Sequence, residues 1–234
     1  MLVAAAVCPC PPLLVPDVAA GAAPELDAAR DACADAVGLL AASRPDLLVV
    51  VGPAEHGGTF RQGAVGSFAG YGVDVRVRLG RGESAAAPSL PVSLAVGAWL
   101  LERAGWADTP VEGLAVAEGL DPKACIAAGE ELASRADRVA LLVMGDGSAC
   151  RTLKAPGYRD ERAAGFDEIA SAALGSADTA ALMGLDDRLA HELKVAGRAP
   201  WQVLAGAGSG AALAGRLLHE DAPYGVGYFV GVWS

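Results

Sequence analysis

Short apolar runs alternate with longer amphipathic segments along this chain. Residues 2–7, 47–51 and 139–144 are entirely apolar, and glycine or proline follows each run closely. Such runs are typical of strands that are buried on both faces of a sheet. Between the first two runs, residues 23–43 place apolar side chains at helical spacing. The order of strand, helix and strand predicts a β-α-β unit.

The same alternation of elements continues to the end of the chain. Residues 74–79 alternate polar with apolar side chains, which predicts a half-exposed strand near an edge of the sheet. Asp121 and Pro122 mark a helix start, because Asp is a common N-cap and Pro suits the first helical position. Further helices are predicted over residues 90–104, 122–135, 159–174, 179–193 and 200–207, a further strand over 111–117, and a terminal hairpin from 216–219 and 226–233.

Composition and charge narrow the class of protein. The chain has 234 residues, 53% of them hydrophobic, which suffices for one extensive α/β domain over residues 1–234. Its formal charge of -10 repels phosphate backbones and anionic lipids, so we expect neither nucleic acid nor a membrane as a partner. No apolar run approaches the roughly 20 residues that span a bilayer, and residues 2–7 lack the basic flank of a signal peptide. We therefore expect a cytoplasmic protein.

Three loops that follow the most apolar strands hold most of the chemically reactive side chains. They cover residues 8–18, 52–70 and 145–158. Binding sites in open α/β sheets lie at the carboxyl ends of the strands. If the three strands are neighbours, the loops meet at one pocket, and a pocket at this place predicts a small-molecule ligand.

Two thiols and an imidazole in these loops raise the question of a metal ion. The five cysteines are odd in number and scattered, so we expect reduced thiols rather than a disulfide framework. Thiolate and imidazole together favour iron, zinc or copper, with the thiols of Cys8 and Cys10, the imidazole of His56 and the carboxylate of Glu55 as candidate ligands. However, a Cys-x-Cys pair with one His leaves a tetrahedral site one ligand short. Buried cysteines also commonly pack as small apolar residues, so a protein without any metal is the alternative.

The third loop contains the candidate catalytic residues Asp146, Ser148 and Cys150. Asp146 follows a buried strand and a glycine, where Asp serves either as a site carboxylate or as the cap of a turn. Ser148 adds a hydroxyl and Cys150 a thiol to the same loop. The residue types alone leave the catalytic group open.

Five segments, taken in order, carry a family resemblance: VCPCPPLLVPDV (7–18), LLVVVGPAEHGGTF (47–60), LLVMGDGSACRTLKAPGYRDERAAGFDE (141–168), AGRAPWQVLAGA (196–207) and APYGVGYFVGVW (222–233). Together they resemble the class III extradiol ring-cleavage dioxygenases of the B-subunit type and their relatives, the Memo proteins. The resemblance runs almost end to end, although each motif is short. It implies a single three-layer α/β/α domain around a mostly buried, mixed sheet.

The resemblance also implies a particular chemistry. In active members, two His and one acid hold non-haem Fe(II), which binds a catechol and O2 at open positions, and a further His acts as acid and base. Family members are often multimeric, so a homo-oligomer is among the expectations.

Several positions of the family's site are occupied by other residue types in this chain. The first ligand motif, Pro-His-Pro-Pro, has Cys10 in place of the His, whereas His56 matches the second ligand. The acid/base motif has Ala149 in place of its His, or Cys150 if the register shifts by one residue. Ala196 stands where the last ligand is implied. Alanine does not bind metal, so the implied site is degenerate.

Three hypotheses about function follow. We favour a homologue that has lost or changed ring cleavage and binds a small ligand or an altered metal, because the loss of acid/base help alone costs about 10²–10⁴-fold in rate. The second hypothesis is an active, metal-dependent dioxygenase-like oxidoreductase with a site rebuilt around Cys10 and His56. The third is an interaction or scaffold protein that uses an exposed apolar patch.

Overall fold

The structure of the protein is a computed structural model that describes residues 1–82, 89–107 and 109–234. The apolar runs 2–7, 47–51 and 139–144 all form strands, as the sequence predicts. The strands are β1 (Leu2–Cys8), β2 (Leu47–Ala54), β3 (Gly58–Phe60), β4 (Val65–Ser67), β5 (Arg76–Arg78), β6 (Val111–Ala117), β7 (Val139–Met144), β8 (Gly215–Asp221) and β9 (Tyr228–Trp233).

The helices lie between these strands and after β7. The predicted N-cap of the helix Pro122–Ala133 is confirmed, because the Asp121 side chain accepts a hydrogen bond of 2.9 Å from the backbone N–H of Lys123. The helices are α1 (Pro16–Ala19), α2 (Asp27–Ala42), α3 (Val92–Arg103), α4 (Pro122–Ala133), α5 (Ala163–Ser176), α6 (Thr179–Met183), α7 (Asp187–Glu192) and α8 (Arg198–Gly208), and short 3₁₀ turns cover Pro12–Leu14, Ala20–Leu26 and Ala69–Tyr71.

Seven of these strands form one mixed sheet in the order β3-β6-β2-β7-β1-β9-β8. The four strands β6, β2, β7 and β1 run parallel to one another. The strands β3, β9 and β8 each pair antiparallel with their neighbours. The central strands β7 and β1 are buried on both faces almost throughout, which explains why their sequences are apolar without alternation.

Helices cover both faces of this sheet and make it the middle of three layers. On one face, Ala4, Ala6 and Cys8 of β1 belong to a core that α2 and α3 complete. On the other face, Ala5 and Val7 belong to a second core with side chains from α4, α5 and α8. The predicted three-layer α/β/α architecture around a mostly buried, mixed sheet is therefore confirmed.

Close contact between α4 and α8 depends on two glycines. A Cβ atom on Gly129 would overlap the carbonyl of Val203, and one on Gly206 would overlap the carbonyl of Ile126. The two backbones therefore approach more closely than larger residues allow. None of the helices in the described part of the chain is long and apolar enough to cross a membrane.

Several predicted elements differ from the observed ones. The strand predicted over residues 74–79 is shorter, and as β5 it pairs only with β4 in a separate two-stranded sheet instead of joining an edge of the main sheet. The helix predicted over residues 23–43 begins only at Asp27, and a 3₁₀ turn covers Ala20–Leu26 before it. The helix predicted over residues 179–193 is interrupted and forms α6 and α7.

Candidate functional site

The carboxyl ends of β2, β7 and β1 lie side by side, because these strands are adjacent and parallel. The loops that follow the three strands therefore begin at one edge of the sheet, as predicted. A cavity of about 350 Å³ lies at this edge, and we call it the carboxyl-edge cavity. Its wall includes residues from the first loop, the end of β2 and the third loop.

Apolar side chains form most of the wall of this cavity, including four prolines, two valines and two alanines. Prolines are rigid, so this part of the wall is fixed before a ligand arrives. The polar members come from six different segments of the chain, and they are Cys10, Ser93, Glu118, Asp146, Lys194 and Tyr228. A mostly apolar wall with a few converging polar groups is the usual composition of a small-molecule site.

Asp146 is the central polar residue of the cavity. Its Oδ1 accepts a hydrogen bond of 2.8 Å from the backbone N–H of Cys10, which ties the third loop to the first. Burial raises the pKa of Asp146 from 3.8 to about 7, and the hydrogen bond from Cys10 opposes this rise only in part. Near neutral pH the protonated and the ionised form of this carboxyl group are therefore both populated.

Cys10 lines the cavity as a neutral thiol. Burial raises its pKa well above 9.0, and the nearby acidic groups Asp146 and Glu118 raise it further. A thiol in this environment is a weak nucleophile, and a metal ion must displace its proton before binding. Its contribution to the cavity is a small, weakly polar surface.

Tyr228 brings a phenol to the same edge of the sheet. It begins β9, which runs antiparallel to β1, so the start of β9 lies where β1 ends. Burial raises the pKa of its hydroxyl, and the negative charge of Asp146 raises it further. The hydroxyl therefore stays protonated and able to donate a hydrogen bond. Tyr228 is absent from the residues predicted from sequence, although the antiparallel terminal hairpin was a signal that pointed to it.

Lys194 stands between the carboxyl-edge cavity and a neighbouring cavity of about 600 Å³. Both cavities share Glu118, Lys194 and Ala196 as wall residues, so they adjoin along this line. Lys194 is exposed and has a φ of +55°, a left-handed conformation that is rare outside glycine. Lys194 follows the C-cap of α7, where this conformation is usual, and the N–H groups of Lys194 and Val195 donate to the carbonyls of His191 and Ala190 at 3.1 and 2.9 Å. No motif in the sequence singled out Lys194.

The three candidate catalytic residues occupy different environments. Asp146 lines the cavity, but Ser148 and Cys150 do not. Cys150 is buried in the core beneath the loop, and its Sγ donates to the carbonyl of Leu193 at 3.4 Å. Ala149, between them, lines the cavity.

Ser148 belongs to a buried hydrogen-bond network around Asp167. Its backbone N–H and its hydroxyl donate to the Asp167 carboxylate at 2.7 and 2.8 Å. The guanidinium of Arg151 adds a third bond, of 2.9 Å. Asp167 is fully buried, and this set of donors compensates its charge. The network thus holds the third loop in place, and no sequence motif identified Asp167 as its centre.

The predicted metal ligands do not gather around the cavity. Glu55 and His56 are exposed in the turn after β2 and are not part of the cavity wall. Cys8 points from β1 into the core beneath α2, where its side chain contacts Cys33. Within residues 1–82, 89–107 and 109–234, no three His, Cys, Asp or Glu side chains form a group that fits a metal ion. Metal binding by Cys10 and His56 stays a prediction.

Comparison with known proteins bears on the fold alone. No family model matches the chain, and no curated protein matches it. Among solved structures, the chain is similar to the uncharacterized protein JW3007 from Escherichia coli K12, with 15% sequence identity and a TM-score of 0.56. The similarity covers 99% of each chain. At this identity the likeness supports the architecture described above.

Proposed function

We propose that this chain is a class III extradiol dioxygenase-like protein of the B-subunit type that has lost metal-dependent ring cleavage and binds a small molecule in the carboxyl-edge cavity. One observation carries the proposal. Cys10, Ala149 and Ala196, which stand where the resemblance implies two ligands and an acid/base, all line this one cavity. The substituted positions thus share a pocket at the edge of the sheet where the resemblance implies the site.

The substitutions argue against ring cleavage by the usual mechanism. Alanine neither binds a metal nor transfers a proton, and the thiol of Cys10 is held neutral by burial and by nearby negative charge. Without three protein ligands, the site cannot hold a metal ion that keeps open coordination positions for both a catechol and O2. The same substitutions leave the apolar walls of the pocket in place.

The chemistry of the wall favours a flat, largely apolar ligand that carries hydrogen-bonding groups. The volume of about 350 Å³ lies at the lower end of the range for small-molecule sites, which suits a molecule built on one ring. Tyr228 offers a hydroxyl donor, and Asp146 donates or accepts according to its protonation. Lys194, which lines both this cavity and the adjoining one, supplies a positive charge for a carboxylate on the ligand.

Isothermal titration of the purified protein with a panel of catechols and ring carboxylic acids tests the proposal. Ala196→Leu fills part of the cavity, and we expect it to weaken binding by about tenfold or more. His56→Ala is the matched control, because this exposed residue lies outside the cavity wall, and we expect it to leave affinity unchanged. Equal effects of the two variants would contradict the proposed binding site.

Two further measurements distinguish the proposal from its alternatives. Ring-opened product at ordinary enzyme rates, in the presence of Fe(II), O2 and a catechol, would overturn the loss of catalysis. Elemental analysis of protein purified without a tag tests the alternative of a metal site rebuilt around Cys10 and His56. Stoichiometric iron, zinc or copper that disappears in the Cys10→Ser variant would favour an active metal enzyme instead.

A further inference from the structure

A separate cavity of about 730 Å³ lies between the loop that follows β7 and the turn that joins β8 to β9. The loop contributes residues 151–154 and Arg159, and the turn contributes Pro223 and Tyr224. None of these residues lines the carboxyl-edge cavity. It is therefore separate from the two adjoining cavities described above.

Positive charge dominates the wall of this second cavity. Arg151, Lys154 and Arg159 line it, and no Asp or Glu among the described residues does. The chain as a whole has 28 acidic against 18 basic side chains. The charge of this wall is thus opposite in sign to the net charge of the protein. We call this cavity the cationic cavity.

Two of the three cations are free to bind an anion. Arg151 is held by the carboxylate of Asp167 at 2.9 Å. Lys154 and Arg159 are exposed, and their side chains form no ion pair or hydrogen bond with any residue that the structure describes. An anion bound in this cavity can be attracted by both of these unpaired charges.

The acidic side chains near the loop do not neutralise these cations. Asp160 follows Arg159 directly but pairs with Arg162 at 2.7 Å. Glu25 lies near the hydroxyl of Tyr224, whose pKa it raises together with burial, but it is not part of the cavity wall.

The backbone that presents the cations is fixed by hydrogen bonds. The N–H of Arg151 donates to the carbonyl of Gly225 at 3.0 Å, which joins the loop to the turn. Gly225 has a φ of +75°, and a Cβ atom there would overlap the side chains of Thr152 and Ala155. The N–H of Gly157 donates to the carbonyl of Ala149 at 2.8 Å. Binding therefore requires little ordering of the backbone.

We propose that the cationic cavity binds a small phosphorylated molecule. A phosphate group carries close to two negative charges near neutral pH, which match the free charges of Lys154 and Arg159. The planar guanidinium of Arg159 can donate two parallel hydrogen bonds to phosphate oxygens, and Lys154 adds a compact charge. The cavity is much larger than a phosphate ion, so it leaves room for an attached organic group beside Leu153 and Pro223.

Tyr224 supplies a further group for recognition. Tyr224 lines the cavity beside Pro223, whereas its hydroxyl oxygen is buried next to the carboxylate of Glu25. The group that Tyr224 offers to a ligand is therefore its aromatic ring, on which the organic part of a phosphorylated molecule can pack.

Isothermal titration with inorganic pyrophosphate tests this proposal. We expect the wild-type protein to bind pyrophosphate, and the Lys154→Gln and Arg159→Gln double variant to bind it at least about tenfold more weakly. The matched control is the Lys123→Gln and Arg216→Gln double variant, which removes the same charge from exposed positions outside the cavity. We expect this control to change affinity by less than about twofold.

Three results would overturn the proposal. The first is the absence of pyrophosphate binding by the wild-type protein. The second is an equal loss in both double variants, because binding would then follow net charge rather than this cavity. The third is an equal affinity for citrate, which would assign the cavity to carboxylates. Titration with catechols probes the other cavity, so its outcome is independent of these results.

Discussion

Replacing Asp146 with asparagine removes a titrating group from the carboxyl-edge cavity with little change in shape. Asparagine keeps an oxygen that can accept the hydrogen bond from the backbone of Cys10. Burial raises the pKa of Asp146 from 3.8 to about 7 in the folded protein. The variant lacks this titration, so comparing it with the wild type isolates the effect of one carboxyl group on stability.

The sign of the effect follows from proton linkage. Because the folded pKa of Asp146 lies above the unfolded value, the native state binds more protons than the unfolded chain between these values. The contribution of the group to stability is complete below the unfolded pKa and is lost as the pH rises through about 7. At about 1.4 kcal/mol for each pKa unit, the rise from 3.8 to about 7 corresponds to about 4 kcal/mol.

Urea denaturation followed by circular dichroism measures this effect across the pH range. We expect the Asp146→Asn variant to gain stability relative to the wild type by about 3 kcal/mol between about pH 5 and about pH 8. Asp35→Asn, at an exposed position of α2, is the matched control and should show a constant difference from the wild type. A difference for Asp146→Asn that also stays constant with pH would refute the reasoning.

Three further predictions concern helix packing, the buried network and the cavity. Gly129→Ala should lower the free energy of unfolding by about 3 kcal/mol, because its Cβ would clash with the carbonyl of Val203. The control Gly38→Ala, whose Cβ meets nothing within 4 Å, should raise it by about 0.5–1 kcal/mol, and equal shifts in denaturation would contradict this. Asp167→Ala should cost about 3–5 kcal/mol in the same assay, because it leaves buried donors and a cation without their acceptor; an unchanged midpoint would exclude that role. Lys194→Gln should weaken binding of ring carboxylic acids about tenfold in isothermal titration and leave uncharged catechols unaffected, whereas equal losses would indicate a structural effect.

The sequence by itself determined the alternation of strands and helices and which loops follow the buried strands. Apolar runs such as residues 139–144 are continuous because parallel central strands are buried on both faces, and the pattern is readable without coordinates. Adjacent parallel strands end at the same edge, so loops after such runs had to meet if the strands were neighbours. The loops that contain Cys10 and Asp146 are expected to border one pocket for this reason, and both residues line the cavity.

Strand order and side-chain direction were decided only by the tertiary structure. Residues 74–79 alternate like an edge strand, but the pattern does not say which sheet accepts them, and β5 joins β4 instead. His56 and Asp146 both follow buried strands, yet one is exposed and the other lines the cavity. The direction of a loop side chain depends on contacts with distant segments and leaves no periodic signal in the sequence.

Long-range contacts likewise decided the roles of the third loop. Ala149 lines the cavity and its neighbour Cys150 faces the core because Asp167, 19 residues after Ser148, fixes the loop backbone. Lys194 and Tyr228 reach the cavity from the far end of the chain. A local pattern can predict that a loop follows a strand, but the partners that orient its side chains come together only when the sheet and its helices assemble.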